Sequence, residues 1–392
     1  MKFDFPDKLL LTATCASGTE SVLKKEIERL GFGVHPAENG AITFPADKLG
    51  LADACLNFRT ADRVYVKIAE FDVLTFDEMF DGVRALPWES YIPSDGRVTI
   101  NGKCVKSKIY SISDSQKIIK KALADRLCER YKLTRLPENG ALYEISFSLF
   151  RDKLSLMLNA SGAGLHKRGY RDMVGIAPIK ETLASALLLM SDFYYKRPFC
   201  DPFCGSGTFV IEGARIALNI AAGINRTFAF NLWENFDPMV YKTAYEKAKD
   251  NEMRDRSIEF FGSDIDPKAV KLATRHAARA GVGEKVKFFV KDVASFSPRS
   301  EFGTVVTNPP YGIRVYDREQ AEACYKSFGK AIKAYPGWSA FVVTAAKNFE
   351  KCFGRKADRN RKTYNSDLEC RYYYYYGEKP KSNDAVKEGN ND

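Results

Sequence analysis

The sequence predicts an α/β protein whose C-terminal part is a doubly wound, mostly parallel sheet and whose N-terminal part is α+β. From about residue 165, strand-like apolar segments alternate with helical ones, which is typical of parallel strands joined by crossover helices. The preceding residues give short strands and helices in mixed order. With 392 residues, the chain is longer than one average domain, so we expect two or three domains.

The N-terminal elements follow from apolar periodicity. Residues 8–14 (KLLLTAT) are a predicted strand, and the apolar positions within 18–30 predict an amphipathic helix that Gly31 ends. The other predicted elements of this part are strands at 32–35, 40–44, 64–73 and 97–105, helices at 76–86 and 115–131, and a hairpin over 141–161 that turns near Asp152 and Lys153.

The C-terminal elements begin with a helix over 178–193, because proline is favoured in a first helical turn and Pro178 stands there. The stretch 222–257 is longer than a minimal connection and contains a helical segment, so we interpret it as an insertion. The polar tail 378–392 is predicted to be disordered. The predicted core strands are 197–203, 258–265, 285–292, 303–310 and 338–345, with helices at 207–222, 267–280 and 319–335.

Composition excludes several classes of protein. Apolar residues make up 45% and charged residues 28% of the chain, as in ordinary folded domains. No apolar run reaches the roughly 20 residues of a membrane helix, and the N-terminus lacks a signal-peptide pattern, so a cytoplasmic location is predicted. Nine cysteines without CxxC pairs and only three histidines argue against structural zinc, a histidine metal site or a histidine-based triad.

The positive charge of the chain indicates a polyanionic partner. The formal net charge is +10. The stretch 97–132 contains ten Lys or Arg and three acidic residues, which gives a local net charge of 10 − 3 = +7. A second basic stretch, 347–362, carries seven Lys or Arg against two acids and is either a further phosphate contact or an exposed charged loop. The candidate phosphate contacts of the first stretch are Lys103, Lys106, Lys108, Lys117, Lys120 and Lys121.

A glycine loop follows the first strand of the predicted parallel sheet. In such sheets ligands bind beyond the carboxyl ends of the strands, and glycines allow the backbone to approach a ligand closely. The loop lacks the third glycine of a dinucleotide site, and Asp201 would repel a pyrophosphate but attract the ammonium group of an amino acid. The predicted cofactor loop comprises Asp201, Pro202, Phe203, Cys204, Gly205, Ser206, Gly207 and Thr208.

Acidic residues follow the next two predicted strands. Asp264 could accept hydrogen bonds from both ribose hydroxyls of a nucleoside, Ile265 could cover one face of an adenine, and Asp292 could accept from the adenine amine. Each aspartate could equally be a helix N-cap or a solvated loop carboxylate. The order of the signals along successive strands favours the nucleoside site.

The tetrapeptide Asn308-Pro309-Pro310-Tyr311 ends the fourth strand. Pro-Pro alone is explained by a turn that stops sheet pairing. Asn308 and Tyr311 indicate an amine-binding site in addition to a turn. The Asn308 oxygen and the Pro309 carbonyl could accept both hydrogens of an exocyclic amine, while Tyr311 stacks on the ring that carries it. Two acceptors favour the pyramidal nitrogen that attacks a sulfonium methyl group. Together with the glycine loop, the tetrapeptide predicts methylation of a planar amine, with Asn308 touching both substrate and cofactor.

These motifs resemble those of the bacterial THUMP-domain guanine-N2 RNA methyltransferases, a group often labelled as adenine-specific DNA methylases. DPFCGSGTF, GSDID and NPPYG carry the resemblance, together with LHKRGYR (165–171), APIKETLASALL (177–188) and the THUMP-like KSKIYSISDSQKIIKKAL (106–123). The similarity covers roughly residues 5–377. It implies a ferredoxin-like domain over 1–65, a THUMP RNA-binding domain over 66–162 and a Rossmann-like methyltransferase domain over 163–377.

The same resemblance implies S-adenosylmethionine as cofactor, a guanine of 23S rRNA as the usual substrate and no metal. It places Thr182 at the methionine end of the cofactor and the basic residues Lys167, Arg168 and Arg171 near RNA. The longest members of the family carry a second methyltransferase domain that this sequence lacks, so a single reaction is expected.

Two other functions remain open at this point. NPPY is shared with adenine methyltransferases that act on DNA, and the N-terminal 160 residues argue against that substrate. A non-catalytic RNA-binding or ribosome-assembly factor could keep the same fold, although intact cofactor and amine motifs argue against it. Protein glutamine methylation, a more distant alternative, leaves the basic N-terminal part without a role.

Overall fold

A computed structural model of the protein describes residues 4–35, 40–171, 179–312 and 318–379. Two compact units divide the chain. The first contains the described residues of Met1–Cys15, Leu23–Leu165 and Arg226–Asp250, and the second those of Ala16–Val22, His166–Asn225 and Asn251–Asp392.

Ten helices and strands lie before residue 160 in the described chain. In chain order they are β1 (Leu9–Cys15), α1 (Glu20–Arg29), β2 (Ala41–Ala46), α2 (Lys48–Asn57), β3 (Ala61–Asp72), α3 (Phe76–Arg84), β4 (Arg97–Val105), α4 (Ile112–Tyr131), β5 (Leu142–Phe150) and β6 (Lys153–Asn159). The remaining elements are α5 (Glu181–Met190), β7 (Phe199–Asp201), α6 (Thr208–Ala217), α7 (Pro238–Asp250), β8 (Phe260–Asp264), α8 (Pro267–Arg279), β9 (Val286–Val290), β10 (Gly303–Thr307), α9 (Arg318–Lys333), β11 (Trp338–Thr344), α10 (Phe349–Phe353), β12 (Arg359–Asn365) and β13 (Leu368–Tyr375).

The first unit is built on a six-stranded sheet in the order β2-β1-β3-β6-β5-β4. Only β4 and β5 pair in parallel; the other neighbours are antiparallel. Alternate side chains of β5 and β6 are buried, and the register places Ile145 opposite Leu158 and Phe147 opposite Leu156. This alternation is the period of a sheet with one buried face, and it confirms the predicted hairpin near Asp152.

The segment predicted to be an insertion packs within the first unit. The Trp233 ring stacks on Phe5 at 5.4 Å and on Tyr143 at 5.3 Å between centroids. In α7, Lys247 Nζ lies 3.0 Å from the carboxylate of Asp53 on α2. Residues 226–250 therefore share the core of the unit that contains β1–β6, although the predicted methyltransferase range 163–377 includes them.

The second unit contains a seven-stranded sheet in the order β12-β13-β11-β10-β7-β8-β9. Strands β7 to β11 pair in parallel, as predicted, while β13 runs antiparallel to β11 and to β12. The β12–β13 hairpin was not predicted; only the start of β12 lies in the basic stretch 347–362, which was interpreted as a phosphate contact or an exposed loop. Tyr372–Tyr375 of β13 are all buried. Their rings extend the core as far as β13, the neighbour of the edge strand β12.

The chain reverses its direction of travel across this sheet at β7. From β7 it proceeds to β8 and β9 on one side, then returns to β10 on the other side. Such a switch point opens a crevice at the carboxyl ends of the strands. Helix α8 begins there with Pro267 in its first turn and Asp266 as N-cap, accepting from Lys268 N at 2.8 Å.

Two predictions fall wholly or partly on residues outside the described ranges. Pro178, the predicted start of the helix over 178–193, is one of them, and the described helix α5 begins at Glu181. Residues 380–392 of the predicted polar tail are also outside the described ranges.

Candidate active site

The glycine loop forms the turn between β7 and α6. Gly205 and Gly207 have φ angles of +48° and +85°, a region that side chains disfavour, and Gly207 caps α6. A Cβ atom on Gly205 would meet nothing within 4 Å, so the backbone faces open space at this residue. Cys204 N donates to the Ser263 carbonyl at 2.9 Å and joins the loop to β8. Burial raises the thiol pKa of Cys200 and of Cys204, which keeps both protonated.

The two aspartates expected to bind a nucleoside lie at the ends of neighbouring strands. Asp264 Oδ2 accepts from Gly205 N at 2.9 Å, so this carboxylate touches the glycine loop directly. Its neighbour Ile265 is 54% exposed. Asp292 lies after β9 and accepts from Ala294 N at 2.7 Å, the bond of a local cap. The structure thus brings Asp264, Ile265 and the loop to one edge of the sheet.

Asp201 is buried between the ends of β7 and β10. Thr307 Oγ1 donates to its Oδ1 at 2.5 Å, and Phe203 N donates to the same atom at 3.1 Å. Burial raises the pKa of Asp201 to about 7, and the charge of Asp264 acts in the same direction, although the two hydrogen bonds favour the ionised form. The bond from Thr307, which sequence analysis did not single out, places the following Asn308 beside the glycine loop.

A tyrosine of α9 holds the NPPY turn through a hydrogen bond. The hydroxyl of Tyr325 donates to the carbonyl of Pro310, and the Tyr325 ring packs edge-on against Phe349 at 5.1 Å. Tyr325 is 1% exposed, and burial raises its pKa to about 12, so the hydroxyl remains a donor at neutral pH. Sequence analysis missed this residue, since one tyrosine in an amphipathic helix gives no signal of its partner.

Tyr311 makes a contact that the sequence did not predict. Its hydroxyl donates to Asn308 Oδ1 at 2.5 Å and lies 3.7 Å from Cys370 Sγ on β13. Burial raises the pKa of Tyr311, so the phenol is a donor here. The oxygen expected to accept an amine hydrogen is therefore occupied by the neighbouring phenol in this structure.

Arg171 joins the start of α5, where Thr182 lies, to the start of α6. Thr182 is buried in the first turn of α5, next to Glu181, whose pKa is raised by burial. Arg171 Nε lies 3.4 Å from Glu181 Oε1, and another nitrogen of Arg171 donates to Thr208 Oγ1 at 2.5 Å. Arg171 thus bridges the N-terminal ends of two helices that flank the glycine loop.

Arg168 does not lie on an RNA-facing surface, contrary to prediction. It is 1% exposed, and its Nε lies 3.7 Å from Glu212 Oε2 inside the second unit. Tyr170 and Ser185 also donate to the Glu212 carboxylate, at 3.0 and 2.8 Å. Burial opposes ionisation of Glu212, but Arg168, Arg215 and the two hydroxyls outweigh it and lower its pKa. Glu212 is the one acidic residue in the mostly apolar sequence TFVIEGARIA of α6, and a buried charge cluster could have been predicted from it.

The predicted lysine contacts are all exposed. Lys103, Lys106 and Lys108 lie at the end of β4 and in the turn that follows, and Lys167 is exposed in the second unit. The lysines of α4 have partners: Lys117 contacts Asp114 at 3.4 Å, Lys120 contacts Glu138 at 2.9 Å, and Lys121 lies 5.7 Å from the Phe80 ring centroid.

Metal-binding clusters and membrane-spanning helices are both absent from the described residues. No group of three or more His, Cys, Asp or Glu side chains is arranged to hold a metal ion within residues 4–35, 40–171, 179–312 and 318–379. None of the helices in the described part of the chain is long and apolar enough to cross a membrane.

Three family descriptions match consecutive parts of the chain. Residues 10–65 match the RlmL ferredoxin-like domain, residues 74–159 the THUMP domain, and residues 168–374 the RMKL-like methyltransferase domain. These matches agree with the α/β architecture and with the mostly parallel sheet of the second unit.

Similar proteins extend over nearly the whole chain. YpsC of Bacillus subtilis (strain 168), which carries the provisional name of RNA methyltransferase, is 40% identical over 94% of this chain and 96% of its own. The crystal structure of a predicted N6-adenine-specific DNA methylase from Listeria monocytogenes str. 4b F2365 is 42% identical with a TM-score of 0.91, covering 95% of this chain and 97% of that chain. The structure of SMU.472, provisionally a methyltransferase and complexed with SAH, is 36% identical with a TM-score of 0.91, covering 96% and 100%.

Proposed function

This chain belongs to the family of RMKL-like methyltransferases with an RlmL ferredoxin-like domain and a THUMP domain, and from this premise we propose that it methylates the exocyclic N2 amine of a guanine in RNA. Its methyl donor is S-adenosylmethionine. The observation that carries the proposal is the hydrogen bond between Thr307 and Asp201, which joins the amine-binding turn to the cofactor loop at the switch point.

The residues of the crevice fit S-adenosylmethionine. Asp201 is a buried carboxyl that lacks a cationic partner among its described contacts, and it suits the ammonium group of the methionine part. Thr182, buried in the first turn of α5, is proposed to line the same end of the cofactor. Asp264 can accept hydrogen bonds from the ribose hydroxyls. The exposed side chain of Ile265 offers an apolar surface to the adenine, and Asp292 can accept a hydrogen bond from the adenine amine. The loop from Pro202 to Thr208 gives the close backbone approach, most openly at Gly205.

When bound, S-adenosylmethionine supplies an electrophilic methyl group on a positively charged sulfur. A new N–C bond forms as the C–S bond breaks and its electron pair stays on sulfur; the proton of the amine leaves to solvent. Asn308 Oδ1 and the Pro309 carbonyl accept the two amine hydrogens and favour the pyramidal nitrogen. The incoming amine replaces the Tyr311 hydroxyl on Asn308, and this exchange frees the Tyr311 ring to stack on a base taken out of its helix.

RNA is the proposed substrate class, and 23S rRNA the proposed molecule. The THUMP match, the net charge of +10 and the exposed lysines after β4 support a polyanionic partner. Lys167 of the second unit remains a candidate contact, whereas buried Arg168 does not and Arg171 is bound to Glu181 and Thr208.

A second candidate is N6 methylation of adenine in DNA or RNA. It is favoured by the NPPY turn, which serves any planar exocyclic amine, and by the description of the similar Listeria protein as a predicted N6-adenine-specific DNA methylase. Incubation with labelled S-adenosylmethionine and either total RNA or DNA separates the two, followed by identification of the labelled nucleoside. Label only in DNA, or only in N6-methyladenine, would replace the proposal.

The role of Asn308 is tested by Asn308→Ala, which removes the side-chain acceptor. We expect kcat for methyl transfer to fall by roughly 10²- to 10³-fold, with the affinity for S-adenosylmethionine unchanged in calorimetry. Tyr311→Phe is the matched control, because it breaks the same Tyr311–Asn308 hydrogen bond but keeps the amide and the ring. Full activity of Asn308→Ala, or an equal loss in Tyr311→Phe, would refute the assigned role. Absence of S-adenosylmethionine binding to the wild type would instead favour a non-catalytic RNA-binding factor.

A further inference from the structure

One end of the six-stranded sheet carries exposed apolar side chains. Tyr110 is 85% exposed, the highest value among the exposed large apolar side chains of the described residues, although it follows the buried Ile109. Phe150 is 41% exposed at the last position of β5. We call the following set the turn surface: Leu74, Val105, Tyr110, Ile112 and Phe150.

Hydrogen bonds hold the segments that carry the turn surface together. Lys108 N donates to Asp152 Oδ1 at 2.6 Å, and Asp152 N donates to Ser107 Oγ at 3.0 Å. Arg151 N donates to the Val105 carbonyl at 3.3 Å. Lys106, Arg151 and Asp152 have φ angles between +51° and +62°, which non-glycine residues adopt only where neighbouring contacts hold them. The turn surface is therefore a built feature of the fold.

The charged groups around the turn surface favour an anion. Exposed cations alternate with its apolar residues, and the Arg151 guanidinium lies 5.2 Å from the Phe150 ring centroid. Two nearby acids are engaged by backbone donors, since Asp152 accepts from Lys108 N and Glu78 accepts from Leu74 N at 2.7 Å. The exposed cations are Lys103, Lys106, Lys108, Arg151 and Lys153.

We propose that the turn surface binds an unpaired stretch of the substrate RNA, with bases stacked on Tyr110 and Phe150 and the surrounding lysines on the intervening phosphates. The inference rests on the proposed function and adds the mode of RNA binding to it. Phosphate contacts alone would serve a duplex, but exposed ring faces can be used only by bases that are not stacked in a helix. A lysine-rich surface without aromatic residues would have suited duplex binding.

The test compares two RNA probes on the full-length protein by fluorescence anisotropy. The probes are a labelled oligoadenylate of about a dozen nucleotides and an RNA duplex of the same length. We expect Tyr110→Ala combined with Phe150→Ala to raise the Kd for the oligoadenylate at least about tenfold and to leave the duplex Kd nearly unchanged, because stacking contributes mainly to single-strand binding. Tyr110→Phe should bind like the wild type, since the ring face is kept.

Tyr194→Ala is the control for losing an exposed aromatic ring elsewhere, because Tyr194 is 43% exposed in the second unit. Unchanged S-adenosylmethionine affinity of each variant serves as the check of folding. Equal losses on both probes, or no loss on either, would overturn the inference. A dimer in sedimentation that the double variant dissociates would also overturn it, because a second copy would then occupy the surface. Wild-type protein that binds oligoadenylate through these rings but methylates no RNA would contradict the proposed function alone.

Discussion

At the scale of single residues, the fold strongly changes the ionisation of the Asp201 carboxyl. It is 2% exposed, and burial raises its pKa from 3.8 to about 7. Since the folded value lies above the unfolded value, the stabilisation from the neutral carboxyl is present below about pH 4 and is lost as the pH rises to about 7. A cationic ligand group next to Asp201 would reverse this preference by stabilising the carboxylate.

This shift predicts that S-adenosylmethionine binds more tightly as the pH rises from 6 to 7.5. If the carboxylate is the form that binds, a group with a pKa of about 7 makes the Kd fall roughly five- to tenfold over this range. Isothermal titration calorimetry at several pH values measures it. Asp201→Asn keeps an oxygen for Thr307 and Phe203 N, removes the titration, and should bind more weakly with little pH dependence. The same pH dependence in Asp201→Asn would assign the effect to another group.

At the scale of elements, helix α9 holds the NPPY turn in place. Tyr325 extends from α9 to the Pro310 carbonyl, one residue beyond the carbonyl proposed to accept the amine. Pro309 and Pro310 have no N–H groups, so only their carbonyls can form backbone hydrogen bonds, and the carbonyl of Pro310 accepts from Tyr325. We therefore expect α9 to act on the proposed reaction through its hydrogen bond to the turn.

Tyr325→Phe should lower kcat about tenfold, because it removes only the hydroxyl and leaves the Pro310 carbonyl without its donor. The KM for RNA and the affinity for S-adenosylmethionine should stay at wild-type values. Tyr372→Phe is the matched control, since its buried hydroxyl donates to the Leu187 carbonyl at 2.8 Å. Both variants should lose about 1 kcal/mol of unfolding free energy, and equal effects on kcat would reduce Tyr325 to a purely structural role.

At the scale of the whole molecule, we expect the RNA-binding parts of the chain to decide which polymer is methylated. In the proposed mechanism the NPPY turn accepts an amine of guanine or of adenine, so we expect selectivity to come from the parts that bind the polymer. A net charge of +10 and the THUMP match indicate RNA. We expect the positively charged surface and the THUMP domain to bind the RNA before the target base reaches the turn.

Cells that lack this protein should lose an N2-methylguanine from 23S rRNA, because that nucleoside is the product of the proposed reaction. Mass spectrometry of nucleosides from ribosomal RNA, transfer RNA and genomic DNA measures the change. Wild-type protein should restore the modification and the Asn308→Ala variant should not. Loss of the nucleoside from transfer RNA would redirect the RNA substrate, and loss of N6-methyladenine from DNA would contradict the proposal.

The sequence by itself determined the parallel sheet and the edge at which its motifs meet. Asp201 and Asp264 end β7 and β8, and Asn308 follows β10. The carboxyl ends of parallel strands lie at one edge of a sheet, so the proximity of these residues could be predicted from their order along the chain. The exposed lysines after β4 could also be predicted, because a dense run of charges rarely enters a core.

Only the tertiary structure decided which polar groups are buried and with which partners. Arg168 lies inside against Glu212 and Tyr325 holds Pro310, each through a contact between residues that are separated along the chain. Tyr311 donates to Asn308 within the turn itself, but the motif alone did not indicate this bond. The same holds for residues 226–250, which pack in the first unit, and for the β12–β13 hairpin, where buried tyrosines outweigh the flanking charges. Periodicity and motif order report on neighbours along the chain, whereas burial and hydrogen-bond partners depend on long-range packing.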